Sequence, residues 1–243
     1  MRIVTSGMAA VAAALIATAV NAADLPVKAP PRPVVTGFNW TGCYGGGHVG
    51  GLWAHKDWAL APPDAITPLG GHNADSWTAG LQAGCDYQFA NRWVIGIQGA
   101  YGWSDAKGSH IDVVDGTIDQ TTVRSIASVT ARLGYAWDRW LGYVRGGGAW
   151  ADDRYVRTLI PAGPVDGLAK ETRGGWTAGV GIEYAITDYL SAFIEYDHYW
   201  FGSRTLTFVT PPAGVFEDNV TIRQDADTVK AGVNFRWAAF RWR

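Results

Sequence analysis

Long apolar runs are missing from this 243-residue sequence after its first 22 residues. No later stretch holds 18 consecutive apolar residues, which excludes helical membrane spans. Charged residues are scarce as well, at 17% of the chain, and a formal net charge of −2 gives no indication of a nucleic-acid partner. Tryptophan, tyrosine and glycine are abundant instead, at 13, 10 and 31 residues, a composition that suits strands meeting a membrane interface.

Catalytic motifs are also lacking. The sequence contains no G-x-S-x-G motif, and its five histidines are scattered without the spacing of metal ligands. These histidines are His48, His55, His72, His110 and His198. We therefore expect no enzyme activity, no catalytic or metal-binding residues and no bound cofactor.

Two loop segments leave weaker alternatives open. His55 and His72 fall in the same predicted loop, so capture of haem or a metal by that loop is an alternative function. Asp112, Asp115 and Asp119 loosely resemble a calcium loop but lack its terminal glutamate. We interpret this acidic stretch as a charged surface that faces lipopolysaccharide.

A glycine motif near the start of the chain invites a nucleotide-binding interpretation. Gly45, Gly47 and Gly50 have the spacing G-x-G-x-x-G, which serves dinucleotides only between a buried strand and a helix. The upstream segment is too polar for such a strand, and the downstream segment has no helical period. We assign Gly42, Gly45, Gly46, Gly47 and Gly50 to the first strand of a small barrel, where they leave room for larger neighbours.

The N-terminal region divides into two segments. Residues 1–22 combine Arg2, an apolar run and a small-x-small ending, which predicts a cleaved secretory signal peptide. A membrane anchor is the alternative, but the apolar run is shorter than the ~20 residues that a spanning helix needs. Residues 23–37 contain four prolines and predict an extended periplasmic linker, so the folded domain is expected at 38–243.

Alternation with a period of two recurs through the rest of the chain. Eight segments place aliphatic and aromatic residues on one face and polar residues or glycine on the other, as in Trp77–Phe89 and Trp93–Trp103. Each is close to the ~9 to 11 residues that cross a bilayer as a tilted strand. An even strand number allows antiparallel closure.

Short and long connections alternate between these segments. Tight turns are predicted at 90–92, 138–139 and 187–188, and long polar loops at about 54–75, 105–122, 152–173 and 203–223. This alternation is typical of outer-membrane barrels with short periplasmic turns and long extracellular loops. The predicted fold is all-β: an eight-stranded antiparallel transmembrane β-barrel with up-and-down topology. A soluble lipocalin-like barrel is the alternative, but it would point its apolar face inward.

The polar face supplies candidate residues for the lumen. It contains acidic and basic residues that we expect to form a salt-bridged plug: Asp86, Arg132, Arg145, Glu183, Glu195, Asp197 and Lys230. Arg132 and Arg145 are expected on neighbouring strands, facing Glu183, Glu195 and Lys230 across the barrel. A narrow pore for small solutes is the alternative.

The two cysteines fall at similar predicted heights on the first and second strands. Cys43 and Cys85 could form a cross-strand disulfide in the oxidising periplasm. Two unbridged small residues facing lipid are an equal alternative, because barrel shear can offset neighbouring residues.

Several sequence segments resemble a known family. The junction AADLPVKAPPRPVVTGFNWTGCYGGGHVG, together with YVRGGGAWA, EYDHYWFG and the late VKAGVNFRW, is similar to the outer-membrane immunogenic protein family of small bacterial barrels. Those barrels are similar in turn to OmpX and to the membrane domain of OmpA. The resemblance spans the mature chain and implies an abundant surface-exposed protein of the cell outer membrane.

The same resemblance implies assembly by the barrel assembly machinery. That machinery recognises a final strand with a polar residue, a glycine and two late aromatic residues, which correspond to Lys230, Gly232, Phe235 and Trp237. Family members usually end at the last aromatic residue, whereas this chain continues through 238–243. Either Trp242 is then the functional end of the last strand, which would change its register, or the tail is free. The implied role is a structural and surface-antigenic barrel that contributes to envelope integrity and contacts lipopolysaccharide.

Overall fold

The computed structural model describes residues 37–60, 67–112, 117–160, 163, 165–210 and 215–237. Within these ranges eight strands pair in chain order, each antiparallel to the next, and β8 pairs with β1 to close a barrel. The strands are β1 Gly42–Leu60, β2 Thr67–Gln88, β3 Trp93–Asp112, β4 Thr117–Trp137, β5 Trp140–Leu159, β6 Val165–Ala185, β7 Leu190–Thr210 and β8 Val215–Trp237. This confirms the predicted fold class and topology.

No helix in the described part of the chain is long and apolar enough to cross a membrane. The predicted signal peptide, nearly all of the predicted linker, and residues 238–243 lie outside the described residues.

The short connections lie where the sequence predicts them. β4 and β5 are joined by residues 138–139, and Asp138 adopts a positive φ of 58°, which a short polar side chain tolerates. The β2–β3 connection uses Arg92 with a φ of 71°. In the β6–β7 connection, the Leu190 N–H donates to Thr187 Oγ1 at 3.0 Å. We call this end of the barrel the turn end, and the opposite end the outer end.

The strands are about twice as long as predicted, at 19 to 23 residues. Most of the residues assigned to long loops continue the strands instead. The inward residues there remain large or apolar, as with Trp58 and Tyr155, but the outward residues become polar, as with His55 and Arg154. The loop prediction was wrong because it placed the end of each strand where the outward residues stop being apolar, whereas the strands continue beyond that point.

The outer wall is apolar, and rings of aromatic residues border it. Val49, Ile97 and Trp176 expose 63%, 65% and 72% of their surface, which in water would be an aggregation hazard. The outer-end ring contains Trp53, Trp77, Trp103, Trp150, Trp176 and Trp200, and we call it the tryptophan girdle. The turn-end ring contains Tyr87, Phe89, Trp93, Tyr135, Trp137, Trp140, Tyr184, Tyr189, Phe235 and Trp237. Such girdles mark the two interfaces of a membrane-spanning barrel.

Strand register fixes how the interior is assembled. Cα partners followed from Cys43 through β2 to β8 return to β1 at Trp53, ten residues further along. This stagger requires strongly tilted strands. It also settles the register of the last strand, because Trp237 pairs with Cys43.

Candidate functional site in the barrel lumen

All seven sequence-predicted lumen residues face inward and are buried. Each exposes at most 5% of its surface: Asp86 on β2, Arg132 on β4, Arg145 on β5, Glu183 on β6, Glu195 and Asp197 on β7, and Lys230 on β8. Period-two alternation puts them there, because inward positions occur at every second residue of each strand. They divide into two ionic clusters.

The first cluster centres on Arg132. Its Nη2 lies 2.9 Å from Glu183 Oε2, and its Nε lies 3.4 Å from Asp86 Oδ1. Nη1 donates to the Tyr44 hydroxyl at 2.9 Å, and the guanidinium lies 4.1 Å from the centre of the Tyr143 ring. Arg132 on β4 thus contacts residues from four other strands.

Arg236 completes this cluster, although the sequence prediction did not include it among the residues of the salt-bridged plug. Its Nη2 lies 2.7 Å from Asp86 Oδ2, its Nε lies 3.4 Å from Glu183 Oε1, and its Nη1 donates to the Trp40 carbonyl at 3.2 Å. Arg236 lies an even number of residues after the inward residues Lys230 and Asn234, so the alternation of β8 could have identified it as a lumen residue. Asn234 itself donates to Glu183 at 3.0 Å. With Arg236 included, four acidic and four basic residues occupy the two clusters.

The second cluster contains Arg145, Lys230, Glu195 and Asp197. Arg145 lies 2.7 Å from Glu195 and 3.2 Å from Asp197. Lys230 lies 3.0 Å from Glu195 and 2.6 Å from Asp197, and Tyr143 donates to Glu195 at 2.9 Å. The two basic residues therefore bridge the same two carboxylates.

The two predicted arginines bind different carboxylates. Arg132 and Arg145 are direct Cα partners on β4 and β5, as expected for neighbouring strands, but they do not share carboxylates. Arg132 extends to Asp86 and Glu183, whereas Arg145 extends to the acids of β7. The separation follows from register, since Glu183 and Glu195 sit at different heights, and sequence parity does not specify height.

Apolar side chains pack above and below the two clusters. At the turn end, Trp40, Val94, Leu141 and their neighbours form one cluster, and the Arg236 guanidinium lies 4.5 Å from the Trp40 ring centre. Towards the outer end, Leu52 and Phe201 belong to a second cluster that also contains six alanines. The charged groups are therefore enclosed in a low-dielectric interior, where each needs a partner.

A further ionic group lies beyond the tryptophan girdle, outside the membrane-spanning part of the strands. Lys56 Nζ lies 3.2 Å from Asp153 Oδ2, and both side chains are fully buried. Tyr155 donates to Asp153 at 3.1 Å, and Arg173 donates to the Ile222 carbonyl at 2.9 Å. Burial lowers the pKa of Lys56 to about 8, against the opposing attraction of the Asp153 carboxylate. The sequence prediction missed this group because its members lay in predicted loops.

The histidines proposed for haem or metal capture are not brought together. His55 is exposed on the outer face and contacts Asn73 at 2.7 Å, whereas His72 is buried inside the barrel beside Trp58. Because the two rings lie on opposite faces of the sheet, His55 and His72 do not form one shared site for a metal ion or haem. Among the described residues, no group of three or more His, Cys, Asp or Glu side chains could hold a metal ion. The side chains of Asp112, Asp115 and Asp119 lie outside the described residues.

The cysteines and the assembly residues occupy the ends of β1, β2 and β8. Cys43 and Cys85 are direct Cα partners and are joined by a disulfide, with their Cα atoms 3.9 Å apart. Lys230 points inward, whereas Phe235 and Trp237 expose about half of their surface to the outside. A Cβ added at Gly232 would overlap the Gly47 carbonyl oxygen, so glycine is needed there for the close approach of β1 and β8.

Glycines of β1 divide between the two faces. A Cβ added at Gly46 or Gly50 would overlap a carbonyl oxygen of β8, whereas Gly47 has only ordinary contacts and faces outward. Gly45, Gly46, Gly47 and Gly50 all belong to β1, and none opens a helix. The G-x-G-x-x-G spacing is therefore part of the barrel wall.

Known proteins share this architecture and sequence. The family model for the outer membrane protein β-barrel domain matches residues 10–236. The chain belongs to this family. It is 31% identical over 239 residues to the 31 kDa outer-membrane immunogenic protein of Brucella melitensis, covering 93% of this chain and 96% of that protein. It is 28% identical over 226 residues to the 25 kDa outer-membrane immunogenic protein of Brucella abortus, covering 89% and 90%. This family membership places the barrel in the cell outer membrane.

Solved outer-membrane barrels share the fold. OprG from Pseudomonas aeruginosa superposes with a TM-score of 0.52 at 13% identity, covering 84% of this chain and 99% of that one. The outer membrane protease OmpT from Escherichia coli superposes with a TM-score of 0.53 at 8% identity, covering 81% and 97%. At these identities the likeness concerns the fold alone.

Proposed function

We propose that this family member is a structural and surface-antigenic barrel with a lumen closed by its own charged side chains. In this role it contributes to envelope integrity and presents its outer end for surface contacts. The observation that carries the proposal is the balance of four buried acids by four buried bases. A water-filled pore has no need of such pairing, because its charges remain hydrated.

The ionic clusters support a sealed interior through their geometry. Each carboxylate in them has at least two basic partners within 3.4 Å. Eight strands leave an interior just wide enough for side chains to fill. The apolar residues that pack above and below the clusters also support a lumen without a continuous path for water or ions.

Single-channel recording of the refolded barrel tests this proposal. The wild type should show no steady conductance, because the clusters obstruct the lumen. The double variant Arg145→Ala/Glu195→Ala removes one acid and one base, keeps the charge balance and should produce transient openings. Mobility on unheated gels must show that both proteins are folded. Steady nanosiemens-scale conductance of the wild type would refute the sealed lumen and favour the narrow-pore function.

We also propose that the outer end contacts lipopolysaccharide. We propose in addition that it is antigenic, since the Brucella relatives are named immunogenic proteins. The outer ends of the strands extend beyond the tryptophan girdle and carry exposed charged residues such as Asp57, Lys107 and Arg154. Antiserum raised against the refolded barrel should bind intact cells. Binding only after the outer membrane has been permeabilised would contradict a surface-exposed outer end.

Recognition by the barrel assembly machinery is proposed for Lys230, Gly232, Phe235 and Trp237. The variant Phe235→Ala/Trp237→Ala should reduce the amount of folded barrel in cells while leaving refolding in detergent intact. Trp176→Ala is the control, because Trp176 is also an exposed aromatic residue of the outer wall but belongs to β6. An equal cellular defect in the control would show that aromatic content, and not the β8 signal, limits assembly.

A further inference from the structure

Charge is distributed unevenly around the outer wall just beyond the tryptophan girdle. Among the described side chains of β3 to β6, four exposed bases accompany two outward-facing acids, Asp105 and Asp152. These bases are Lys107, Arg124, Arg154 and Lys170. Among the described outward side chains of β8, β1 and β2 at this height there are four acids and one base: Asp57, Asp75, Asp225, Asp227 and Arg223. One side of the barrel therefore attracts anions at the height of the lipid headgroups, and the other repels them.

Strand register aligns the bases in one row, which we call the basic arc. Lys107 pairs with Thr122, Thr122 pairs with Arg154, and Arg154 pairs with Lys170. Arg124 lies at a register shift of β4, two residues from Thr122. Arg154 and Lys170 are thus like charges directly opposite one another, an arrangement that is unfavourable unless an anion lies between them.

The ion pairs of these bases also leave most of their charge available to an anion. Lys107 is paired with Asp105 at 2.7 Å. Within the described ranges no ion pair involves Arg124, Arg154 or Lys170. Between β3 and β4, a polar concavity of about 190 Å³ is lined by Lys107 and by the hydroxyl and amide side chains of Ser109, Gln120 and Thr122. These side chains can all donate hydrogen bonds to phosphate oxygens.

Apolar grooves lie on the same side of the barrel, below the girdle. Two open grooves of about 700 and 620 Å³ follow the lipid-facing wall of β2 to β5. Their outward-facing lining includes the small residues Gly99, Ala127, Ala131 and Gly146. A Cβ added at Gly99 would meet nothing within 4 Å, so the wall is recessed there. Trp103 and Trp150 stand between these grooves and the basic arc, four residues before Lys107 and Arg154.

We propose that β3 to β6 form a binding site for one lipopolysaccharide molecule on the outer wall. The acyl chains occupy the grooves, the girdle tryptophans lie at the headgroup boundary, and the phosphates bind the basic arc. Arginine suits this role, because its planar fork binds phosphate oxygens in pairs. The site deepens the proposed contact with lipopolysaccharide and rests on it, but it is independent of whether the lumen is sealed.

Native mass spectrometry of the refolded barrel titrated with purified lipopolysaccharide tests the basic arc. The triple variant Arg124→Gln/Arg154→Gln/Lys170→Gln should bind about 100-fold more weakly, since each base near an anionic surface contributes roughly fivefold. The matched triple variant Arg92→Gln/Arg139→Gln/Arg223→Gln removes three bases elsewhere and should bind as the wild type does. An equal loss in both triple variants, or no loss in either, overturns the site.

The groove has its own pair of variants. Gly99→Leu fills the recess without a steric clash and should weaken lipopolysaccharide binding severalfold. Ala231→Leu enlarges an exposed outward residue of β8 that lines neither groove and should have no effect. Unchanged binding by Gly99→Leu overturns the groove assignment. Phosphatidylglycerol should bind more weakly than lipopolysaccharide, and equal binding would assign the arc to simple anionic lipids instead. If the wild type binds no lipopolysaccharide at all, the proposed surface contact itself fails, whatever the conductance shows.

Discussion

Replacement of Arg132 by alanine is the most direct test of how the lumen is held together. Arg132 is 3% exposed and contacts Glu183, Asp86 and the Tyr44 hydroxyl within 3.4 Å. Its removal leaves Arg236 as the one base of the first cluster, opposite two carboxylates. The cluster then changes from neutral to a net charge of −1 in an interior with apolar clusters on both sides of it.

The magnitude follows from the cost of a buried charge without a partner. Breaking a buried ion pair by removing one member typically costs about 3 to 5 kcal/mol. Glu183 keeps hydrogen bonds from Ser191 at 2.6 Å and Asn234 at 3.0 Å, which lowers the cost without removing the charge. We therefore expect the free energy of unfolding to fall by about 3 kcal/mol, at the lower end of that range. The added variant Glu183→Gln restores neutrality and should recover most of the loss.

Urea unfolding of the barrel in phospholipid vesicles, followed by tryptophan fluorescence, measures these differences. Arg139→Ala is the control, because the Arg139–Asp188 pair at the turn end is largely exposed. Its loss should lower the free energy of unfolding by less than about 1 kcal/mol. A loss below about 1 kcal/mol for Arg132→Ala would show that water or rearrangement replaces the guanidinium. Failure of Glu183→Gln to rescue would show that packing around Arg132, and not charge balance, accounts for its effect.

Two other regions give measurable predictions. Lys56→Met or Asp153→Leu alone should lower the free energy of unfolding by about 3 to 5 kcal/mol, because each leaves a buried charge without its partner. The double variant should be as stable as the wild type or more stable. A double variant as unstable as the single variants would contradict this. Folding lowers the pKa of Lys56 from 10.5 to about 8. Between these two pH values the folded barrel therefore binds fewer protons than the unfolded chain. The unfolding free energy of the wild type should therefore rise by roughly 2 kcal/mol between about pH 8 and pH 10, and the double variant should lose this dependence. Cys43→Ser/Cys85→Ser removes a disulfide between residues 42 positions apart in the sequence. It should lower the urea midpoint and reduce the free energy of unfolding by about 2 to 4 kcal/mol. Equal midpoints for the wild type with and without reductant would show that the disulfide contributes nothing.

The sequence predicted the architecture because two simple signals are strong in a membrane barrel. Alternation identifies strands and assigns each residue to a face, so Asp86, Arg132 and Glu183 could be placed in the lumen without coordinates. Paired hydrophilic turns such as 138–139 then fixed the order of the strands. Neither signal depends on distant contacts, which is why both could be recognised from local sequence.

The same signals could not predict how long the strands are or which inward residues lie at the same height along the barrel axis. Lys56 and Asp153 lie where the outward face has already turned polar, so their segments no longer alternate between apolar and polar residues. The choice of partners for Arg145 depends on the ten-residue stagger around the barrel, which is set jointly by all eight strand pairs. Parity gives the direction of a side chain, whereas register gives its height, and only the closed barrel determines register.

The abundance of glycine has a physical explanation that also depends on register. Four inward rings each lie directly across the strand pair from a glycine, and a Cβ added to any of those glycines would collide with the ring. The pairs are Tyr44 with Gly84, His48 with Gly80, Tyr143 with Gly181, and Phe193 with Gly232. A narrow lumen has room for a ring from one strand only if its partner contributes no side chain. Tyr44 and Tyr143 are also the rings that contact Arg132, so the glycines opposite them provide the space in which the first ionic cluster forms.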